Sequence, residues 1–229
     1  MSPIDPRWPK VLSLSVHEFR TPMTVVAGYI RMLLKDRAGA LNDQQRRLLE
    51  EAEKSCARLS GLIAEVSELS QLEGGSAPFN KSEADLRAIL EDSVARLPAL
   101  PDREVAVTLE TGAQPALLSA DPVRLGQALS SVIAALRREL IGDEGLVVRQ
   151  QRSAEGHEIL IGEAPTIAAL SSEPAGSRGL FDEWRGGVGL SLMVARRVIE
   201  AHDGALYGAP EGRKSGARIQ FRSAGSKRE

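Results

Sequence analysis

Apolar residues return every seven positions early in the chain, at Leu12, Phe19, Val26 and Leu33, with Tyr29 and Ile30 widening the stripe. A recurrence of seven keeps side chains on one face of a helix, so it predicts a long amphipathic helix. The pattern breaks at Asp36-Arg37-Ala38-Gly39-Ala40, and Asn42 or Asp43 is suited to cap a second helix. That helix carries Leu48, Ala52, Cys56, Leu59, Ile63, Val66 and Leu69 at spacings of three and four. A hairpin of two such helices cannot bury both stripes by itself. Two hairpins packed as a four-helix bundle do so, and a homodimer is therefore expected. A coiled-coil spacer without chemistry fits the same stripes.

Composition narrows the choice. Of the 229 residues 42% are hydrophobic but only 3% aromatic, which favours a core of Leu, Val, Ile and Ala. The net charge of −2 gives no reason to expect nucleic-acid or membrane-surface binding. One cysteine, Cys56, excludes an internal disulfide and a multi-cysteine metal site. No apolar run has the length of a membrane span, and the N-terminus lacks a signal-peptide pattern, so a cytoplasmic location is expected.

A turn at Gly74-Gly75-Ser76-Ala77-Pro78 divides the chain into residues 1–75 and 76–229. Beyond it the pattern is mixed. Helices are expected over 85–97, 122–140 and 190–201. Strands are expected over 104–110, at Leu117 and Leu118, and over 145–151, 157–162, 205–207 and 217–222. Strands and helices interleaved in this way predict an α+β sandwich, with the helices on one sheet face.

The first helix also carries His17-Glu18-Phe19-Arg20-Thr21-Pro22. Glu18 can reach the imidazole from the side, and Thr21 lies one turn along. Pro22 frees a carbonyl a turn earlier and favours a bend past the histidine. A lone histidine on a polar helix face is usually a surface residue. The whole string, followed by Met23-Thr24, closely resembles the phosphoacceptor box of sensor histidine kinases. That resemblance implies His17 as phosphoacceptor, Glu18 as general base, and Thr21 as the residue that orients water for dephosphorylating a partner.

The resemblance extends further. Ser119 to Leu129 resembles the run leading into the nucleotide-binding helix of these kinases. Gly187-Val188-Gly189-Leu190-Ser191-Leu192 resembles their second glycine box, and Phe181 with Trp184 the aromatic pair before the ATP lid. The implied architecture is a dimerisation and phosphotransfer hairpin followed by an α/β sandwich of the histidine-kinase ATPase type. The implied cofactors are ATP and Mg²⁺, and the implied partner is a response-regulator receiver domain.

Several matching positions depart from the family pattern. Ser131 and Ala135 stand where the family has two asparagines, and alanine offers magnesium no oxygen. Glu163 stands where an aspartate holds adenine, but no glycine follows to let backbone approach the base. Only Arg185 and Gly186 separate Trp184 from the second glycine box, where the family has a lid of roughly a dozen residues. Each lost contact of this kind costs on the order of 1.5–3 kcal/mol, so a weakened nucleotide site is expected. Gly187 and Gly189 retain the option of binding an anion at the helix start.

Three functions follow as expectations. The first is a histidine kinase phosphotransferase that carries phosphoryl on His17. The second is an ATP-independent phosphotransferase or receiver phosphatase. The third is an oligomerisation scaffold.

Overall fold

A computed structural model of the chain describes residues 8–140, 145–172, 179–185, 189–209 and 216–222. The chain divides into two units, Met1–Ala77 and Pro78–Glu229.

The first unit is a helical hairpin of α1, Trp8–Leu34, and α2, Asp43–Glu73. Asn42 is the cap. Its side chain accepts the Gln45 N–H at 2.8 Å, and the Gln45 side chain accepts the Asn42 N–H at 3.0 Å. Arg46 closes the other side of the loop. It donates to the Leu34 carbonyl at 3.0 Å and to both Asp36 carboxylate oxygens at 2.9 Å. At the far end the Ser70 hydroxyl donates to the Pro9 carbonyl at 2.6 Å, which fixes the antiparallel register.

Two apolar stripes of period seven run along α1. Val16 and Ile30 are buried against α2, with Met23 half-buried between them. Phe19, Val26 and Tyr29 flank that seam and remain 60%, 46% and 62% exposed. On α2, Leu48 and Leu59 are likewise exposed while Ile63 is buried. The hairpin leaves a long apolar face uncovered.

The second unit begins with β1, Ser82–Asp85, and α3, Leu86–Ala95. There follow β2 (Val107–Glu110), β3 (Leu117–Ala120), α4 (Pro122–Glu139), β4 (Leu146–Ser153) and β5 (Gly156–Gly162). The remaining elements are α5 (Ala164–Ser172), α6 (Ser191–Ala201), β6 (Gly204–Gly208) and β7 (Gly216–Arg222). The main sheet has the order β2-β4-β5-β7-β6. Its β2–β4 pair is parallel and the others antiparallel. β1 and β3 form a separate antiparallel pair.

Both faces of the main sheet carry a helix. Gly204 is in register with Phe221, and a methyl group there would stand 2.8 Å from Ile199 of α6 and from the Phe221 ring. α6, with α4 packed along it, therefore covers the face of Phe221, Ile219 and Ala217. Gly216 points the other way, and a methyl there would meet Thr166 of α5 at 2.6 Å. On that second face Ile167 and Leu170 of α5 pack with Leu160 and Val147. Arg218 reaches up from the same face to donate to the Leu170 carbonyl, which satisfies an orphan acceptor in the last turn of α5.

Three expectations are corrected here. The helices do not share one sheet face, because α5 lies opposite α6. β2 begins at Val107 rather than Glu104, because pairing with β4 starts opposite Leu146. The pairs β1–β3 and β5–β7 also include strand residues, Ser82–Asp85 and Gly156, that alternation did not mark.

Candidate functional site

α1 continues through Pro22, which has no N–H to offer the Glu18 carbonyl. Two residues on, the Thr24 hydroxyl donates to the Arg20 carbonyl at 2.8 Å, and two residues before His17 the Ser15 hydroxyl donates to the Val11 carbonyl at 2.9 Å. Burial of Val16 turns the next residue, His17, away from the seam. The His17 and Glu18 side chains are 78% and 72% exposed, and His17 Nδ1 lies 3.6 Å from Glu18 Oε1. Thr21 is exposed one turn along the same flank. The structure thus brings His17 and Glu18 together and leaves the other ring nitrogen open to solvent.

A cleft of about 230 Å³ opens beside this flank, lined by Arg20, Met23, Thr24, Ser60, Ile63 and Ala64. The sequence pattern did not mark it, because it depends on which residues of α2 face α1. The one signal present was the pair of small residues, Ser60 and Ala64, four apart on α2.

Residues 10–75 match the His Kinase A (phospho-acceptor) domain. Over most of its length the chain is similar to sensor histidine kinases. It is 29% identical to the sensor histidine kinase GacS of Pseudomonas protegens over 206 residues, 83% of this chain and 22% of that relative. It is 27% identical to the circadian input-output histidine kinase CikA of Synechococcus elongatus over 211 residues, 85% of this chain and 27% of the relative. The chain thus spans about a quarter of the length of these relatives, or less. Among solved structures, full-length ShkA in complex with AMPPNP superposes with a TM-score of 0.69 at 19% identity, covering 92% of this chain and 44% of ShkA. The Acinetobacter baumannii histidine kinase AdeS gives 0.59 at 20% identity, covering 90% of this chain and 97% of that one. These two share the fold.

In this histidine kinase relative the positions matching the nucleotide site are scattered in chemistry. Ser131 is half-buried on α4, and its hydroxyl donates to the Gln127 carbonyl at 3.0 Å. It lines a cleft of about 430 Å³ with Ser93, Arg96 and Ser130, between α3 and α4. Ala135, one turn on, is fully buried. Glu163 is the single residue between β5 and α5, and its carbonyl accepts the Ile167 N–H at 2.9 Å, so the strand runs almost directly into α5. Gly189 adopts φ +67° just before α6, whose N-cap position is taken by Leu190, a residue with no polar side chain. Gly187 lies outside the described residues. The buried methyl of Ala135 offers no oxygen to the octahedral shell that Mg²⁺ requires.

The short segment before the second glycine box is tied down. Gly208 N–H donates to the Gly179 carbonyl at 2.9 Å on the sheet edge. Glu183 pairs with Arg196 of α6 at 2.6 Å, and Arg185 pairs with Glu139 at the end of α4 through contacts at 2.9 and 3.0 Å. Phe181 is buried beneath Arg185, whereas Trp184 is 76% exposed.

Proposed function

We propose that this chain carries a phosphoryl group on His17 and passes it to an aspartate of a response-regulator receiver domain, in two-component signalling on the cytoplasmic side. The observation that carries this reading is the exposed His17 ring with the Glu18 carboxylate 3.6 Å from Nδ1. A carboxylate at Nδ1 favours the tautomer with its proton there, which leaves the Nε2 lone pair free. In loading, Nε2 bonds to phosphorus, the bond from phosphorus to the donor oxygen breaks with its electrons, and the Nδ1 proton passes to Glu18. In delivery, an aspartate oxygen bonds to phosphorus, the P–N bond returns its pair to the ring, and Nδ1 regains the proton. Thr21 would orient the water that dephosphorylates the partner. The exposed Phe19, Val26 and Tyr29 support a dimeric four-helix bundle.

ShkA was solved with AMPPNP, and the shared fold supports nucleotide binding by the second unit. The glycine turn at Gly189 ahead of α6 suits a phosphate, but the buried Ala135 does not suit a metal. Ala135 therefore favours a second source of phosphoryl, the reverse transfer from a phosphorylated receiver. The test is acid-labile labelling of the chain, with γ-labelled ATP and Mg²⁺ in one arm and a labelled phospho-receiver in the other. Label from ATP supports an autokinase, and label from the receiver alone supports the second source. Label that persists in His17→Ala refutes the phosphoacceptor assignment.

A further inference from the structure

In the second unit α6 runs into β6 through a tight turn, in which Asp203 adopts φ +57°. The Asp203 N–H donates to the Glu200 carbonyl at 3.1 Å, and Gly204 then starts β6 in register with Phe221 of β7. A cavity of about 400 Å³ opens at this end of the sheet, lined among others by Glu155, Glu200, Asp203, Tyr207, Gln220 and Arg222. That volume falls within the range of small-molecule sites. The cavity lies wholly in the second unit and shares no residue with the positions that match the nucleotide site.

Gln220 forms the floor. It is 9% exposed, and what remains open faces the cavity it lines. It sits opposite Ala205 of β6 and Glu158 of β5, and alternation turns it away from the Phe221 face that α6 covers. The Glu158 carboxylate beside it is already engaged: it accepts from Gln151 Nε2 at 2.6 Å and lies 3.7 Å from Arg218 Nε. The Gln220 amide has no hydrogen-bond partner among the described residues. A buried amide left in that state is costly, so it marks a place that a ligand completes. Around it the lining is acidic. Glu155, Glu200 and Asp203 stand against Arg222, and Arg197 Nη1 donates to Glu200 Oε2 at 2.8 Å. Three carboxylates against two guanidinium groups leave a net negative charge, which repels an anion. Among the described residues the carboxylates are also too dispersed to hold a metal ion together. What fits is an organic cation rich in N–H donors. A guanidinium has a rigid fork that matches a carboxylate, and its plane can lie against an aromatic ring such as Tyr207.

We propose that this cavity binds a guanidinium group, carried by free arginine or by an arginine side chain of a peptide. Its N–H groups are donated to Asp203, Glu200 and the Gln220 carbonyl oxygen, and Arg222 at the rim pairs with the α-carboxylate when the ligand is the free amino acid. The site is separate from His17 and does not rest on the phosphoacceptor reading.

NMR chemical-shift titration of the isotope-labelled full chain tests this. One arm uses L-arginine, a second the blocked peptide acetyl-Gly-Arg-Gly-amide, and a third n-butylamine as a cation without the fork. The Gln220 side-chain amide and the Asp203 N–H should shift saturably with arginine or the peptide, with a Kd below about 1 mM. Arginine alone, with a loss of roughly fivefold in Arg222→Gln, assigns the free amino acid; the peptide, with no loss in that variant, assigns a peptide side chain. Asp203→Asn, at an exposed position and with a residue that tolerates positive φ, should weaken binding by roughly fivefold or more. Gln220→Met should weaken it by roughly threefold or more. Asp92→Asn, which removes a carboxylate of α3 outside this lining, should leave it unchanged. No saturable shift with either guanidinium ligand, equal binding of n-butylamine, or an Asp92→Asn loss as large as that of Asp203→Asn would overturn the proposal.

Discussion

Phe19→Ala is expected to weaken self-association by roughly thirtyfold. Phe19 is 60% exposed on the isolated hairpin, so its ring has little part in holding α1 to α2. Full burial of a large apolar side chain is worth about 1.5–3 kcal/mol, and the remaining exposed part therefore about 1 kcal/mol. A twofold bundle counts the side chain twice, about 2 kcal/mol in all, which is close to thirtyfold in Kd. Sedimentation equilibrium of both proteins reads the Kd directly, and far-UV circular dichroism at high concentration checks that the hairpin persists. A monomeric wild type, or an unchanged Kd in the variant, would refute the reasoning that the uncovered stripe is a dimer seam. Loss of helix in the variant at concentrations where wild type is dimeric would place Phe19 inside the hairpin instead.

Asn42→Ala should cost about 1 kcal/mol of hairpin stability, because the Gln45 N–H loses its acceptor; urea unfolding with an unchanged midpoint would count against the cap. Gly204→Ala should destabilise the second unit by about 1–3 kcal/mol, since its methyl meets Ile199 and Phe221 at 2.8 Å; calorimetry of the second transition measures it. Burial lowers the folded pKa of His202, so the unfolded chain binds the proton first. That stability is present above the ordinary imidazole pKa of about 6.5 and is lost as pH falls through the lower folded value. Denaturant midpoints between those pH values should fall in the wild type and flatten in His202→Gln, with equal slopes in both refuting burial of a neutral His202 ring.

The hairpin was legible because a period of seven and a capping residue are local signals. Val16, Met23 and Ile30 share that period with Phe19 and Val26, and only the position of α2 decides which set is covered. α5 was not legible: Ala164–Ser172 is small and apolar with little polar face, so it has no helical rhythm to read. Its place is set by Leu160 and Arg218 beneath it. β1 was missed because Ser82-Glu83-Ala84-Asp85 is polar and becomes a strand only through its pairing with β3. At the site, the proximity of His17 and Glu18 was readable from neighbouring positions on a helix. The cleft at Met23 and Ile63 was not, since it needs the register between two helices.

A ring that is 78% exposed trades storage for access. In the proposed role, the open flank that would admit a receiver would also admit water, and a phosphorus–nitrogen bond held there would have no apolar wall to slow its hydrolysis. Signal lifetime would then be a matter of supply: the message would fade unless continually rewritten.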